Sequence, residues 1–374
     1  MRPILLTVTV LAFAFGPALA DDARISLGDI PRTNAHYLNA REAALCRADV
    51  ATGGVGASFY NPALITRVRG ASGLATVRFN VKSRDYLSED LEASDDGFLF
   101  SQAVAVKSAM PVTYGFSYAA PSYRSVEISG SPGGEAYDAS FNGGLRYFEV
   151  LLGTGIGNEG RGGIGIAAGI VNLNEEARVS GPGTLESARI DGIAASFAVG
   201  VVFEAADWLT VGFGHRSSAS VEVEGELSAG GGAPPSGTSE TQSTSVFGVT
   251  YRPTAALAVH ASYVNDGWDA AKSTLAAYPS PERDLFSEAL GTAALGIEFA
   301  LPGDRFVIRA GGSKVLMGEA DDAVVPEYSA GFGAVMRFRQ YSGELSLVRE
   351  QFELDGESAE VTNYGIYASV GYEF

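Results

Sequence analysis

Three histidines, His36, His215 and His260, and one cysteine, Cys46, are the residues on which metal or nucleophilic chemistry would rest. A protein metal site draws on pairs such as His-x-x-x-His or Cys-x-x-Cys, whose spacing brings two ligands to one ion. These four residues are scattered and form no such pair, so no metal site is expected. His215 lies beside Ser217 and Ser218, but a nucleophile and its base need a third converging group, and none stands in view. A polar strand end accounts for them better. Gly155-Ile156-Gly157-Asn158-Glu159-Gly160 fits the Gly-x-Gly-x-x-Gly pattern that cradles a pyrophosphate. That use requires a helix to open directly after the glycines, and here an alternating segment follows instead. The chain reads as a non-enzyme with no catalytic residues and no cofactor.

The composition points away from ordinary soluble proteins. The 374 residues include 47 glycines, 20 phenylalanines and 16 tyrosines, while only 19% are charged. A formal charge of -18 excludes a nucleic-acid partner, since phosphate binding needs a basic face. Met1-Arg2, the apolar run Ile4 to Phe15, the break at Gly16-Pro17 and the small residues Ala18-Leu19-Ala20 read as an export signal over residues 1–20. No later stretch is apolar enough to cross a membrane as a helix. Cys46 alone makes no internal disulfide.

What fills the remainder is alternation. Tyr364, Ile366, Ala368, Val370, Tyr372 and Phe374 share one face, with Gly365, Tyr367, Ser369, Gly371 and Glu373 on the other. Such a period of two marks a strand whose faces meet different media. Alternation by itself leaves open a sandwich core or a lipid-facing barrel. The number and spacing of strands discriminate between them. Fourteen are expected, over 71–86, 98–109, 112–128, 136–156, 163–179, 189–204, 208–224, 240–252, 256–268, 285–300, 305–316, 327–338, 341–352 and 361–374. Short connections such as Met110-Pro111, Pro253-Thr254-Ala255 and Arg339-Gln340 alternate with longer ones such as Asp85 to Gly97 and Gly225 to Ser239. An even number of strands with alternating short and long turns is the pattern of an outer-membrane barrel.

The expected fold is therefore all-β, a fourteen-stranded antiparallel transmembrane barrel over 71–374. Acidic residues gather in the long loops, as Asp85, Glu89, Asp90, Glu92, Asp95 and Asp96 do, either as solvated surface or as a rim sharing divalent cations with headgroups. Tyr341, Tyr372 and Phe374 at strand ends suit an interfacial girdle. Inward glycines such as Gly331, Gly333, Gly365 and Gly371 leave room for a plug.

Residues 21–70 supply a candidate for that plug. Asn39, with Glu42 three residues on, predicts a capped helix running to about Val50, with Gly53 and Gly54 ending it. The apolar run around Phe59 to Ile65 argues against a disordered tail.

The run Ala44-Leu45-Cys46-Arg47-Ala48-Asp49, followed by Phe59-Tyr60-Asn61-Pro62-Ala63-Leu64-Ile65-Thr66, resembles the N-terminal hatch of the FadL-type long-chain fatty acid transporters, with its Asn-Pro-Ala motif. The resemblance implies a fourteen-stranded barrel plugged by a hatch, which moves hydrophobic molecules such as long-chain fatty acids across the outer membrane and releases them through a gap in its wall. Under that reading Phe59, Tyr60, Asn61, Pro62, Ala63, Leu64 and Ile65 form the hatch and ligand surface, or the contacts that seat the hatch. Arg47, Arg67 and Arg69 are the candidate partners of a ligand carboxylate.

Pro121 adds a physical argument. It falls within the third strand, near Gly115 and Ala120, where a ladder donor is required. Proline inside a sheet belongs at an edge or bulge, so this strand is expected either to kink, the resemblance implying a lateral opening there, or to end sooner. The connection Gly181 to Ser187 is tight, unlike the long capture loops that the resemblance implies, which favours a hydrophobic ligand in general over a fatty acid in particular. The expected protein is a monomer in the cell outer membrane. Two further classes stay open: a general diffusion porin, and a barrel that anchors surface or secretion machinery without transport.

Overall fold

The computed structural model describes residues 37–373 apart from 82–90, 95–97, 110, 131–136, 158–160, 182–183, 229–235, 268–272, 276–289, 304, 318–327 and 353–360. The export signal, residues 85–90 and 95–97 of the expected acidic loop, and Phe374 therefore lie outside the described residues, whereas Glu92 of that loop falls in a strand segment, Leu91–Ser94.

Eighteen strand segments form one sheet, and four of them continue another segment along the same line, so the wall has fourteen antiparallel strands. In chain order they are β1 (Ala71–Val81), β2 (Leu91–Ser94 and Phe98–Ala109), β3 (Val112–Gly130), β4 (Tyr137–Ile156), β5 (Gly162–Gly181), β6 (Thr184–Ala206) and β7 (Leu209–Arg216 and Ser220–Ser228). There follow β8 (Ser236–Glu240 and Ser243–Thr254), β9 (Leu257–Gly267 and Ser273–Leu275), β10 (Leu290–Ala300), β11 (Phe306–Met317), β12 (Tyr328–Phe338), β13 (Tyr341–Phe352) and β14 (Val361–Glu373). Each pairs with its neighbours in sequence, and β1 closes on β14 from Ser72↔Glu373 to Val81↔Tyr364. Closure matters because a strand edge in lipid would leave a row of backbone groups without partners.

Alternation sets what faces where. Phe116, Phe332 and Leu345 are 66%, 56% and 59% exposed on the outer face, while the intervening Ser117, Gly333 and Ser346 are buried. The apolar face thus points outward around the whole wall. A continuous band of exposed Phe, Ile, Leu and Val suits hydrocarbon and not water. At the short-turn end Trp208 stacks edge-on against Tyr251 at 5.7 Å, and Tyr341 meets Tyr372 at 5.1 Å, both pairs placed where aromatic girdles lie.

Three loop expectations need correction. The connection Asp85 to Gly97 holds the strand segment Leu91–Ser94, which pairs with β3. The segment Gly225 to Ser239 is not wholly loop, because β7 and β8 extend into it as far as Ser228 and from Ser236. Likewise β5 and β6 run on to Gly181↔Thr184, leaving residues 182–183 between them. Apolar residues are few in these stretches, so hydropathy stops signalling while backbone pairing continues.

Candidate functional site

Residues 37–68 fill the lumen. The helix Ala40–Ala44 begins where Asn39 accepts from the Glu42 amide at 2.9 Å. Glu42 reciprocates one residue further back, accepting from the Leu38 amide at 3.0 Å. The helix is shorter than the expected run to Val50, because Cys46 and Arg47 take left-handed φ values of 48° and 67° and turn the chain. Such values are uncommon for side-chain-bearing residues and are held here by tertiary contacts: Asp266 takes the Arg47 guanidinium at 3.3 Å, and Ser262 donates to the Arg47 carbonyl at 2.7 Å.

Asn61 organises the second half. Its Oδ1 accepts from the Ala63 amide at 3.1 Å, capping the 3-10 turn Pro62–Arg67, while Nδ2 donates to the carbonyls of Ala51 at 2.7 Å and Val201 at 3.1 Å. One side chain therefore ties two parts of the segment to β6. The wall admits this contact only where it lacks side chains: a Cβ on Gly165 would overlap the Pro62 carbonyl, and one on Gly331 would overlap the Ala43 carbonyl. Gly365 and Gly371, by contrast, meet Tyr367, Val348 and Ser342 of the wall, so they do not make room for the segment as the sequence had indicated.

The run 59–65 divides in two. Ala63, Leu64 and Ile65 are fully buried, Ile65 against Val104, Val106, Leu151, Ala167 and Ala198, and Leu64 against Ala57 and Val202. These contacts seat the segment. Phe59 and Tyr60 instead join a wider apolar collar with Leu38, Ala119, Tyr147, Val171, Leu173 and Val221. Phe59 packs edge-on against Tyr60 and Tyr147, each at 5.2 Å.

This collar abuts a break in the wall. Pairing of β2 with β3 runs to Gln102↔Ala119 and resumes at Ser94↔Glu127. Among the described residues, none of Phe98 to Ser101 pairs with β3, although three of these four pair with β1. Pro121 sits in the interruption, and the β3 register against β4 shifts between Ala119 and Ser122. The strand does not end there but continues to Gly130. Ala120 is buried at this point, and Gly115 lies lower, where a Cβ would crowd the Ala105 carbonyl and Val106. On the outer face, next to the break, a depression of about 450 Å³ is lined by Ala103, Ala105, Phe116, Tyr118, Phe148 and Val150 among others. Phe100 stacks on Tyr118 at 5.5 Å, and Tyr118 meets Phe148 at 5.2 Å, so aromatic rings border the break from outside.

Charged residues in the lumen are paired. Arg216 grips Glu149 at 2.9 Å, with Ser196 donating to the same carboxylate at 2.7 Å, and its guanidinium lies 3.8 Å over the Phe59 ring. Arg309 bridges Glu298 at 2.6 Å and Glu344 at 2.8 Å, while Arg41 pairs with Asp49 and, at 2.9 Å, with Glu298. Arg47 meets Asp266 and covers the Tyr60 ring at 5.0 Å; Arg67 meets Glu204 at 3.2 Å; Arg69 is exposed. Burial pushes the Glu42 carboxyl up to about 7, against the pull of Arg47 and the Leu38 amide. Burial also pushes the Cys46 thiol up to about 12, which leaves it unreactive.

The remaining chemical candidates disperse. His215 bonds Ser245 at 2.9 Å, and Ser217 donates to the Phe197 carbonyl, so the two do not form a dyad. His260 bonds Thr250 at 2.9 Å. Gly157 turns the chain with φ 80° and β5 follows, with no helix to receive a phosphate. No cluster of metal-ligating side chains occurs among the described residues. The Arg216–Glu149 pair was missed by sequence reasoning; a charge on each of two otherwise small or apolar inward faces was the available signal.

No protein-family profile matches the chain, and no curated protein matches it in sequence. Solved structures match it in fold. A FadL homologue from Pseudomonas aeruginosa superposes with a TM-score of 0.64 at 13% identity, covering 92% of this chain and 100% of that one. The chain has the FadL-type fold. The Pseudomonas putida toluene transporter TodX gives 0.63 at 14% identity, covering 91% and 98%, and the Ralstonia pickettii toluene transporter TbuX gives 0.61 at 11%, covering 91% and 99%. The FadL-type fold extends over almost all of each partner's length, including a wall of fourteen strands.

Proposed function

We propose that this protein carries hydrophobic small molecules, long-chain fatty acids or other apolar compounds, across an outer membrane. Residues 37–68 act as a hatch that shifts to pass the ligand on, and the ligand leaves sideways into lipid through the break at Pro121. The observation that carries this reading is the coincidence of that break with the apolar collar around Phe59 and Tyr60. An apolar molecule gains about 25 cal/mol for every Å² it removes from water, so a route from collar to lipid avoids the aqueous step that would stop it. The outward apolar band and the solved FadL-type and toluene transporters of the same fold support the setting.

The paired cations favour an uncharged compound over a carboxylate. Arg47 and Arg67 already hold Asp266 and Glu204, and a fatty acid headgroup would have to displace a carboxylate from one of them. A general porin is disfavoured by the packed lumen. The test is uptake of radiolabelled toluene and oleate by cells with and without the protein, alongside planar-bilayer recordings. Uptake without steady ion conductance is expected; steady conductance without uptake would replace this reading with a porin.

A further inference from the structure

Both lips of the break are fastened to the same luminal segment. On the β2 side, Ser101 donates to the Leu38 carbonyl at 2.8 Å, and Gln102 donates to the Gly56 carbonyl at 2.7 Å while accepting from Asn39 at 3.0 Å. Gln102 is fully buried and belongs to the last rung joining β2 to β3. On the other side, Tyr147 of β4 pairs with Ala119 and packs against Phe59. Two residues along β4, Glu149 accepts from both terminal nitrogens of Arg216, and Nη2 of that guanidinium also donates to the Phe59 carbonyl at 2.8 Å. The Arg216 side chain thus spans from β7 to β4 and holds Phe59 where the collar meets the break.

We infer that Gln102 and Arg216 are coupling residues: they join the hatch to the two lips so that release of the hatch and widening of the break are one event. The inference rests on the proposed hatch and lateral path but concerns their linkage, and it needs no transported compound to be tested. Two independent fasteners, one on β2 and one on β4, flank the point where β3 loses rungs to both neighbours and hold each side to the segment there. Removing either frees its lip from the segment. A ligand that lifts Phe59 would break the Arg216 contact and loosen the β4 side in the same movement. The role is positional, since neither side chain must touch the ligand.

The test places a thiol on the lip. Ala120→Cys, in the full chain with Cys46→Ala, is reconstituted in phosphatidylcholine vesicles and labelled with a membrane-soluble pyrene maleimide. Ala120 is fully buried, so labelling reports opening of the break. Gln102→Leu and Arg216→Met should each raise the labelling rate about tenfold, the scale of one lost buried hydrogen bond on a local opening equilibrium. Because Arg216→Met alone strands Glu149, the pair Arg216→Met with Glu149→Gln is measured too, and should label as fast while keeping the heat-modifiable migration of a folded barrel. Arg161→Gln, at an exposed residue that pairs with Asp207, is the control and should leave the rate unchanged. Equal rates in the parent, Gln102→Leu and the double variant would overturn the coupling, whether or not toluene uptake is observed. Faster labelling without uptake would uphold the coupling and reject the transport reading.

Discussion

Gln102 faces Ala119 across the last rung of the β2–β3 ladder and at the same time donates its side-chain amide to the Gly56 carbonyl inside the lumen. The point where the wall stops pairing is therefore also a point where the wall is bound to the segment within it. Sheet, break and luminal segment meet at one residue.

Removing the interruption should close the path. Deleting Pro121 alone lets β3 continue its register against β4, since three steps from Ala119 to Ser122 now face two from Tyr147 to Leu145. Uptake of toluene is expected to fall at least about tenfold, while thermal unfolding shifts little or upward because backbone pairs are gained. Infrared amide bands and gel migration establish that the barrel is intact.

Asn61→Ala removes three hydrogen bonds, to Ala63, Ala51 and Val201. Buried groups left without partners cost about 1–3 kcal/mol each, so the luminal segment should open more often. Hydrogen exchange of residues 37–68 should accelerate while that of β10 to β13 stays as before. Unchanged exchange would mean that Asn61 does not organise the segment.

Gly331→Ala tests the close approach on the opposite side, where the new methyl would overlap the Ala43 carbonyl. Overpacking of this kind costs about 1–3 kcal/mol, here concentrated on the helix Ala40–Ala44. Brief conductance steps in planar bilayers are expected from imperfect seating. Gly371→Ala, which meets Ser342 rather than the segment, should give none.

Glu42 predicts a pH dependence of hatch seating. Its carboxyl is pushed from 4.5 up to about 7 in the folded protein, so the folded form holds a proton that the released form gives up. The contribution is fully present below about pH 4.5 and is lost as pH rises through about 7. Hydrogen exchange of residues 37–68, corrected for intrinsic pH effects, should be slower at pH 5 than at pH 8. Glu42→Gln should flatten the difference, as a neutral side chain of the same shape.

Much of the wall was legible because lipid on one side and a packed lumen on the other enforce a strict period of two. Phe332, Ala334 and Met336 announce an outward face as plainly as Gly331 and Gly333 announce an inward one. The Asn-Pro-Ala turn was legible for a local reason: Asn caps and Pro starts the 3-10 turn that follows. What local pattern does not carry is long-range pairing. Arg47 and Arg67 looked free for a ligand until folding brought Asp266 and Glu204 to them from far along the chain. Helix length was misjudged at Cys46 and Arg47, whose left-handed turn is imposed by contacts with β9 and the lumen. Pro121 marked the irregular point of β3 from sequence alone, but that Ser101 and Gln102 fasten the opposite lip follows only from the assembled barrel.

The central claim is that the hatch must move for an apolar compound to pass. A Cβ on Gly296 would lie 3.1 Å from that of Ala48, close enough for a disulfide after a shift of several tenths of an ångström. Vesicles carrying Ala48→Cys with Gly296→Cys, in a Cys46→Ala background, allow toluene uptake to be measured in one preparation before and after reduction. Uptake is expected to be lost in the oxidised form and restored by dithiothreitol. Equal uptake in both forms, with the crosslink verified by mass spectrometry, would contradict the account.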